Sequence, residues 1–512
     1  MKKRSLYERS TIILLFFVWI WEYVANIWYT AKYFLIFDMN SDYAGDAVLA
    51  KHLADSGNYL FSSDWYPTTE LYVIHHQIIM TPLFKIFKDY NTTWIATSVV
   101  AFFLLSASIC FFMKILGSST IRSMLAVVLF VNPSMKFQMS FSVWFHGYLF
   151  YYLIAFVLTG MLIKLYSVNS RPSPKDIAAV CILSLLAGLC GIRMFMIVFI
   201  PLVLTVIFDL YNKELKCLLS IPVRLIAGAC CAAMVGFAVY SLYLVPRYGN
   251  GSLLGIGVSL NGAEKVNRNI LSIPQTLIDG LNVDFSGTSS IYYAIVVFVE
   301  LLLWIVIFAN NISLIIKKNT DKRIRFLAIF AAICGALNIV FMVLTQSNEE
   351  MLYRYRYFSL STFVQIPLFA LTVKCEQPVR VKDFCKFAVI AASAMAIPVW
   401  QIDAVKQYGW EVSSWRQPYI DYLEENGYKF GVSTYWNADT TILASNGKVQ
   451  VAPVNNDSDF TFFEWNTQRS YRDRMPEFVL LTVDEYMERN DNSSENNVLY
   501  RDDSVVITTY PQ

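Results

Sequence analysis

The chain has 512 residues, 56% of them hydrophobic and only 16% charged, and its mean hydropathy is positive, a composition far from that of a soluble globular domain. It predicts a polytopic membrane protein with no nucleic-acid partner. The formal charge of +2 hides a division, because residues 403–512 hold nine Lys/Arg against eighteen Asp/Glu while the remainder is basic.

The start "MKKRSLYERS" precedes the long apolar run "TIILLFFVWIWEYVANIWYTAKYFLIF". Its charge order is that of a signal peptide, but the apolar part is too long and lacks a small-residue cleavage site, so an uncleaved first membrane helix is expected. Directly behind it comes an acidic loop, residues 38–93, that begins with Asp38, Asp42 and Asp46. Residues 42–55 fit an amphipathic helix in which Ala44, Val48, Leu49 and Leu53 share a face and Asp42 and Asp46 stand one turn apart. Such a helix can lie in the headgroup region and hold a carboxylate at the mouth of the first span. Two readings of Asp42 stand: it caps this helix, or it does chemistry at the level of a lipid headgroup.

His75 and His76, in "LYVIHHQIIM", raise the question of a metal. On a helix, adjacent residues point about 100° apart, no third ligand is evident, and no metal site is predicted. The nine cysteines lie in or near apolar segments and none falls in the polar C-terminal part. They carry neither a disulfide framework nor a metal-ligand spacing.

A crossing of the roughly 30 Å hydrocarbon core takes about 20 apolar residues. About eleven stretches qualify, near 12–37, 94–115, 121–135, 143–165, 177–191, 193–208, 224–246, 290–315, 325–346, 357–374 and 386–402. Residues 177–208 are too long for one helix and carry "GLCGIR" in the middle, so two short helices are expected there. The basic segments "MKKR", "KILGSSTIR", "KLYSVNSRPSPK", "YNKELK", "KKNTDKRIR" and "KCEQPVRVKDFCK" alternate to one side, which by the positive-inside rule is the cytoplasm. The acidic loop, residues 247–289, the turn "QSNEEMLYRYR" and the tail 403–512 then face outward.

On that outer side Arg193 is a fixed cation suited to a lipid phosphate through paired hydrogen bonds; the competing reading is a side chain snorkelling to the interface. Arg354 and Arg356 join it as phosphate ligands, against an ion pair with Glu349 and Glu350. His146, between Trp144 and Tyr148, is a third outward candidate, with an interfacial role as the alternative. The tail itself reads as a small α+β domain. "GYKFGVSTYWNADTTILASNGKVQVA" predicts a helix end, a strand, a short helix and an "NGK" turn into another strand, and "PEFVLLTVDEY" and "SVVITTY" alternate as strands do.

Two stretches carry a family likeness. "SDYAGDAVLAKHLADSGNYLFSSDWYPTTELYVIHHQIIMTPLFKIF" resembles the first-loop pattern of the GT-C class of integral-membrane glycosyltransferases, and "RYRYFSLSTFVQIPLFAL" resembles their late "RY…P" motif at the outer end of a span. The class includes protein O-mannosyltransferases and aminoarabinose transferases. "NSD" with "WY…TEL" and "YWNADTT…SNGK" are similar to an uncharacterised Gram-positive group of such proteins. The resemblance implies a GT-C-like helical membrane domain over 1–402 and an extracytoplasmic α+β domain over 403–512. It also implies inverting transfer of a sugar from a polyprenyl-phosphate (or diphosphate) donor to an extracytoplasmic glycan, lipid or protein.

In this class the first-loop carboxylate is the general base on the acceptor hydroxyl. The usual Asp-Glu pair is here Ser41-Asp42, which leaves the role between Asp42 and Asp38, with Asp46 orienting. Trp65, Tyr66 and Glu70 of "WY…TEL" are carried over as substrate-binding residues, beside membrane lipids as partners. No cofactor is implied, and a divalent metal stays open. Two other classes compete: a flippase or transporter of lipid-linked glycans, and a non-catalytic scaffold. No internal repeat, no matching pair of broken helices and no charged chain across mid-membrane supports transport.

Overall fold

In the computed structural model, residues 6–512 are described except 69, 136–138, 140–142, 145, 167–171, 213–219, 250–259, 281–289, 318, 346–354, 375–383, 490–496 and 511–512. Among the described residues, eight helices are long and apolar enough to cross a membrane. They are Leu6–Asp38, Tyr90–Ile115, Leu149–Tyr166, Ile192–Tyr211, Ile221–Tyr248, Ile291–Ile316, Lys322–Leu344 and Phe384–Tyr408. Each coincides with an expected stretch.

The other three stretches form shorter helices. Thr120–Phe130 stops before Asn132-Pro133, where a pre-proline residue disfavours helix. Pro174–Leu189 starts at a Ser173 cap whose hydroxyl accepts from the Asp176 amide, and it ends two residues before Gly191. Gly191 has φ +79, so the chain turns there at no cost in Cβ strain and the next helix starts at Ile192. The third stretch breaks into Tyr355–Ser361 and Gln365–Thr372. At that break the buried Asn311 amide donates to the Gln365 carbonyl at 3.0 Å and to its side-chain oxygen at 2.7 Å. At about 1.5 Å per residue none of these three crosses alone.

The chain divides into two compact units. One comprises residues 1–26, 101–241 and 257–409 and holds most of the long helices. Its interior is apolar with local polar ties: the Trp144 indole donates to Asn26 Oδ1 at 3.0 Å and stacks on Trp400 at 6.0 Å.

The second unit comprises residues 27–100, 242–256 and 410–512. The sheet in its C-terminal part contains β2 (Phe430–Thr434), β3 (Gln450–Val454), β5 (Phe478–Thr482), β6 (Val498–Arg501) and β7 (Val505–Thr509), in the order β3-β2-β5-β7-β6. β2 runs parallel to both β3 and β5, with Val432 opposite Ala452 and Val479, and β7 is antiparallel to β5 and β6. The Tyr435–Ala444 helix crosses from β2 to β3. Strand, helix, turn and strand thus fall where the alternation of apolar residues put them. In the same unit a two-residue strand, β1 (Trp65–Tyr66), pairs antiparallel with β4 (Thr467–Gln468), joining the first loop to the tail.

Candidate active site

The acidic loop folds into the Ser41–Asp55 helix. Its N-cap is Asn40, whose side chain accepts from the Tyr43 amide, so Asp42, in the first turn, is not the cap. The helix is buried on several sides, with Ser41, Ala44, Gly45, Ala47, Val48, Ala50 and Leu53 all inaccessible. It packs on the Gln77–Phe87 helix and on the Tyr435–Ala444 helix. Gly45 is required at the second contact: a Cβ there would lie 2.0 Å from Asn466 Nδ2 and 2.6 Å from Asp439 Oδ2.

That approach gathers a carboxylate cluster. Asp42 Oδ1 accepts a hydrogen bond of 2.5 Å from the Tyr435 hydroxyl. Tyr435 is the first residue after β2, at the carboxyl end of the parallel strands, where open α/β sheets place their functional groups. Asp46 and Asp439 are buried. Burial pushes the Asp46 carboxyl well above the usual carboxylate range, and the charges of Asp42 and Asp439 add to the effect. Burial raises Asp439 too, reinforced by Asp42. Tyr435 is held as the neutral phenol, first by burial and then by the Asp42 charge. The cluster therefore holds two buried carboxyls that favour their neutral acids, Asp46 and Asp439, beside the half-buried Asp42.

Beside Asp46 opens a shallow cleft lined among others by Trp65, Glu70, Tyr72, Tyr248 and Asn466. Of the three residues carried over from "WY…TEL", Trp65 and Glu70 face this cleft. Tyr66 instead carries the Arg469 guanidinium 4.1 Å above its ring. Asp38, the reserve candidate for the base, accepts from the Tyr29 hydroxyl at 2.6 Å.

The histidine pair departs from the helical geometry assumed for it. Both residues precede the Gln77–Phe87 helix, so their rings are not fanned apart but lie with centroids 4.1 Å from each other. Asp46 supplies a third donor: one ligand atom from each of Asp46, His75 and His76 falls within 4.8 Å of the others, and all three residues are buried. Among the described residues, these three could hold a metal.

The remaining candidates belong to the other unit. Arg193 follows Gly191, and its guanidinium stands 5.3 Å from the Tyr357 ring, 5.7 Å from Tyr148 and 5.9 Å from Tyr151. His146 is fully buried with φ +58. Arg354 and the side chain of Arg356 lie outside the described residues.

The sequence reading missed Tyr435, Asp439 and Asn466. The first two sit in "YWNADTT", a stretch noticed for its likeness but given no role. Asn466 gave no signal beyond its place in an aromatic-rich turn.

No protein-family model and no curated protein matches the chain. Among solved structures, the aminoarabinose transferase ArnT from Cupriavidus metallidurans is similar in its apo state with a TM-score of 0.56 at 11% identity, over 96% of this chain and 99% of that one. The same protein bound to undecaprenyl phosphate gives 0.56 and 11%, over 99% of each chain. An Archaeoglobus fulgidus oligosaccharyltransferase tethered to an acceptor peptide gives 0.49 at 9% identity, over 93% of this chain and 69% of that one. The chain thus has the GT-C fold and is a multi-pass membrane protein.

Proposed function

We propose that the protein is an inverting glycosyltransferase that moves a sugar from a polyprenyl-phosphate donor to a hydroxyl acceptor on the extracytoplasmic side. The observation that carries this reading is the Asp42 carboxylate, directly after the first span, with one oxygen held by Tyr435. A similar fold binding undecaprenyl phosphate supports the choice of donor.

In the proposed step, Asp42 Oδ2 takes the acceptor's hydroxyl proton as that oxygen forms its bond to the anomeric carbon. The bond from the anomeric carbon to the phosphate oxygen breaks, and the polyprenyl phosphate leaves with the electron pair. One displacement inverts the anomeric centre. General-base help of this kind is worth about 10²–10⁴-fold. Arg193, whose fork suits two phosphate oxygens, is the proposed donor ligand in the helical unit. The basic segments put the N-terminus in the cytoplasm and the tail outside, which brings the Asp42 loop to the leaflet where such a donor is presented.

The test is transfer by purified protein from a set of undecaprenyl-phosphate hexoses. Asp42→Asn, which keeps shape but not basicity, should abolish transfer and leave folding and lipid binding intact, whereas Asp38→Asn, with its carboxylate bonded to Tyr29, should retain it. A dead Asp38→Asn beside an active Asp42→Asn would move the base to Asp38. Transfer by both at the parental rate sinks the mechanism. A reporter fused after Gln512 that is active only in the cytoplasm sinks the orientation.

A further inference from the structure

We propose that Asp46, His75 and His76 bind one divalent transition-metal ion of the zinc class, tying the Ser41–Asp55 helix to the segment that enters the Gln77–Phe87 helix. Two imidazoles and one carboxylate are a donor set that suits zinc and its neighbours better than magnesium or calcium, which prefer all-oxygen shells. The spacing fits. With metal–ligand bonds of about 2.0–2.2 Å, tetrahedral ligands stand roughly 3.3–3.6 Å apart, and His76 Nε2 is 3.5 Å from Asp46 Oδ2.

The His75 ring is held by stacking on Tyr72 at 4.2 Å and 10°, and its ligand atom lies within 4.8 Å of those of Asp46 and His76. His75 and His76 are 2% and 1% exposed and Asp46 is 7% exposed. The three are assembled from parts of the chain about 30 residues apart, across a helix packing that buries small residues closely. Three protein ligands leave one coordination position open, and because Asp46 also lines the cleft, the ion lies at the cleft's edge.

One consequence rests on the transfer reaction proposed above: Asp46 is a ligand and takes no part in moving the acceptor's proton. The site itself rests only on geometry.

The experiment uses the full chain in detergent, stripped with chelator and titrated with zinc chloride or magnesium chloride while bound metal is counted. One zinc per chain is expected, with magnesium not retained. His75→Ala, His76→Ala and Asp46→Asn should each weaken zinc at least tenfold, and His52→Gln, whose ring bonds Ser62 instead, should not. X-ray absorption on the zinc-loaded parental protein, which needs no variant to fold, should give the outer-shell pattern of two imidazoles. Absence of stoichiometric zinc, an absorption pattern without imidazole, or well-folded triad variants that bind as the parent does overturns the site. Zinc bound here by a protein that transfers no sugar would leave the site standing and sink the transferase reading, and transfer by a protein that binds no zinc would do the reverse.

Discussion

The Tyr435 hydroxyl donates a 2.5 Å hydrogen bond to Asp42 Oδ1 across 393 residues of sequence. It fixes one carboxylate oxygen and leaves the other for the proposed acceptor. Tyr435 is thus a positioning residue for the proposed base. A hydrogen bond to a charged group is worth about 1.5–3 kcal/mol, which corresponds to roughly tenfold to hundredfold in rate. Tyr435→Phe should lower kcat by that factor with the donor KM unchanged, since the ring's packing on Trp436 and Phe463 survives. Steady-state kinetics over donor concentration decides it. A variant with the parental kcat would mean that the bond merely fastens the tail.

Much of the fold was legible because membrane crossing and strand alternation are local signals. Eight spans, the break at "GLCGIR" and the strand–helix–strand of "FGVSTYWNADTTILASNGKVQV" all follow from residues close in sequence. The three expected spans that are short helices had the composition of a span, and their ends depended on Pro133, Gly191 and the amide pair of Asn311 with Gln365. Pairing of that last kind is invisible to a hydropathy window.

The site was half legible. Asp42 and Asp46 stood out by their place behind the first span, but Tyr435, Asp439 and Asn466 meet them only through tertiary packing at Gly45. The histidines were discounted by a helical angle that does not apply, because the regular helix begins one residue later, at Gln77.

Asp439 gives a pH signature. Its ordinary value near 3.8 is raised well upward, first by burial and then by the Asp42 charge. The folded state therefore holds the proton more tightly than the unfolded one. The stability this contributes is complete below the unfolded value and is lost as pH rises through the folded value. Asp439→Asn mimics the neutral acid and cannot ionise. The variant's thermal midpoint should therefore gain on the parent's as pH rises above about 4, and the difference should level off once the parent's Asp439 has titrated. Thermal unfolding of both proteins in detergent across about pH 4–8 reads this directly. Parallel curves would mean that Asp439 titrates alike in the folded and unfolded states and that burial does not raise it.

Arg193 presents the sharpest choice between structure and function. Its guanidinium lies 5.3–5.9 Å from three tyrosine rings, Tyr357, Tyr148 and Tyr151. Cation–π contacts at such distances are worth about 0.5–2 kcal/mol each, depending on desolvation, and an arginine held on aromatic faces loses little further freedom when its fork meets a phosphate. A lysine in the same place keeps the charge and some of the ring contact but offers a point charge where the fork offers two parallel donors. If the residue holds the donor's phosphate, Arg193→Lys should weaken undecaprenyl-phosphate binding about tenfold, the loss of one charge-assisted hydrogen bond, while the thermal midpoint changes little. If it serves only to pack the three tyrosines, Arg193→Ala should lower the thermal midpoint and leave lipid affinity untouched. Binding of undecaprenyl phosphate by both variants, measured beside their thermal unfolding, separates the two. An Arg193→Ala protein with parental affinity removes this residue from the donor site and leaves the phosphate to another cation of the helical unit.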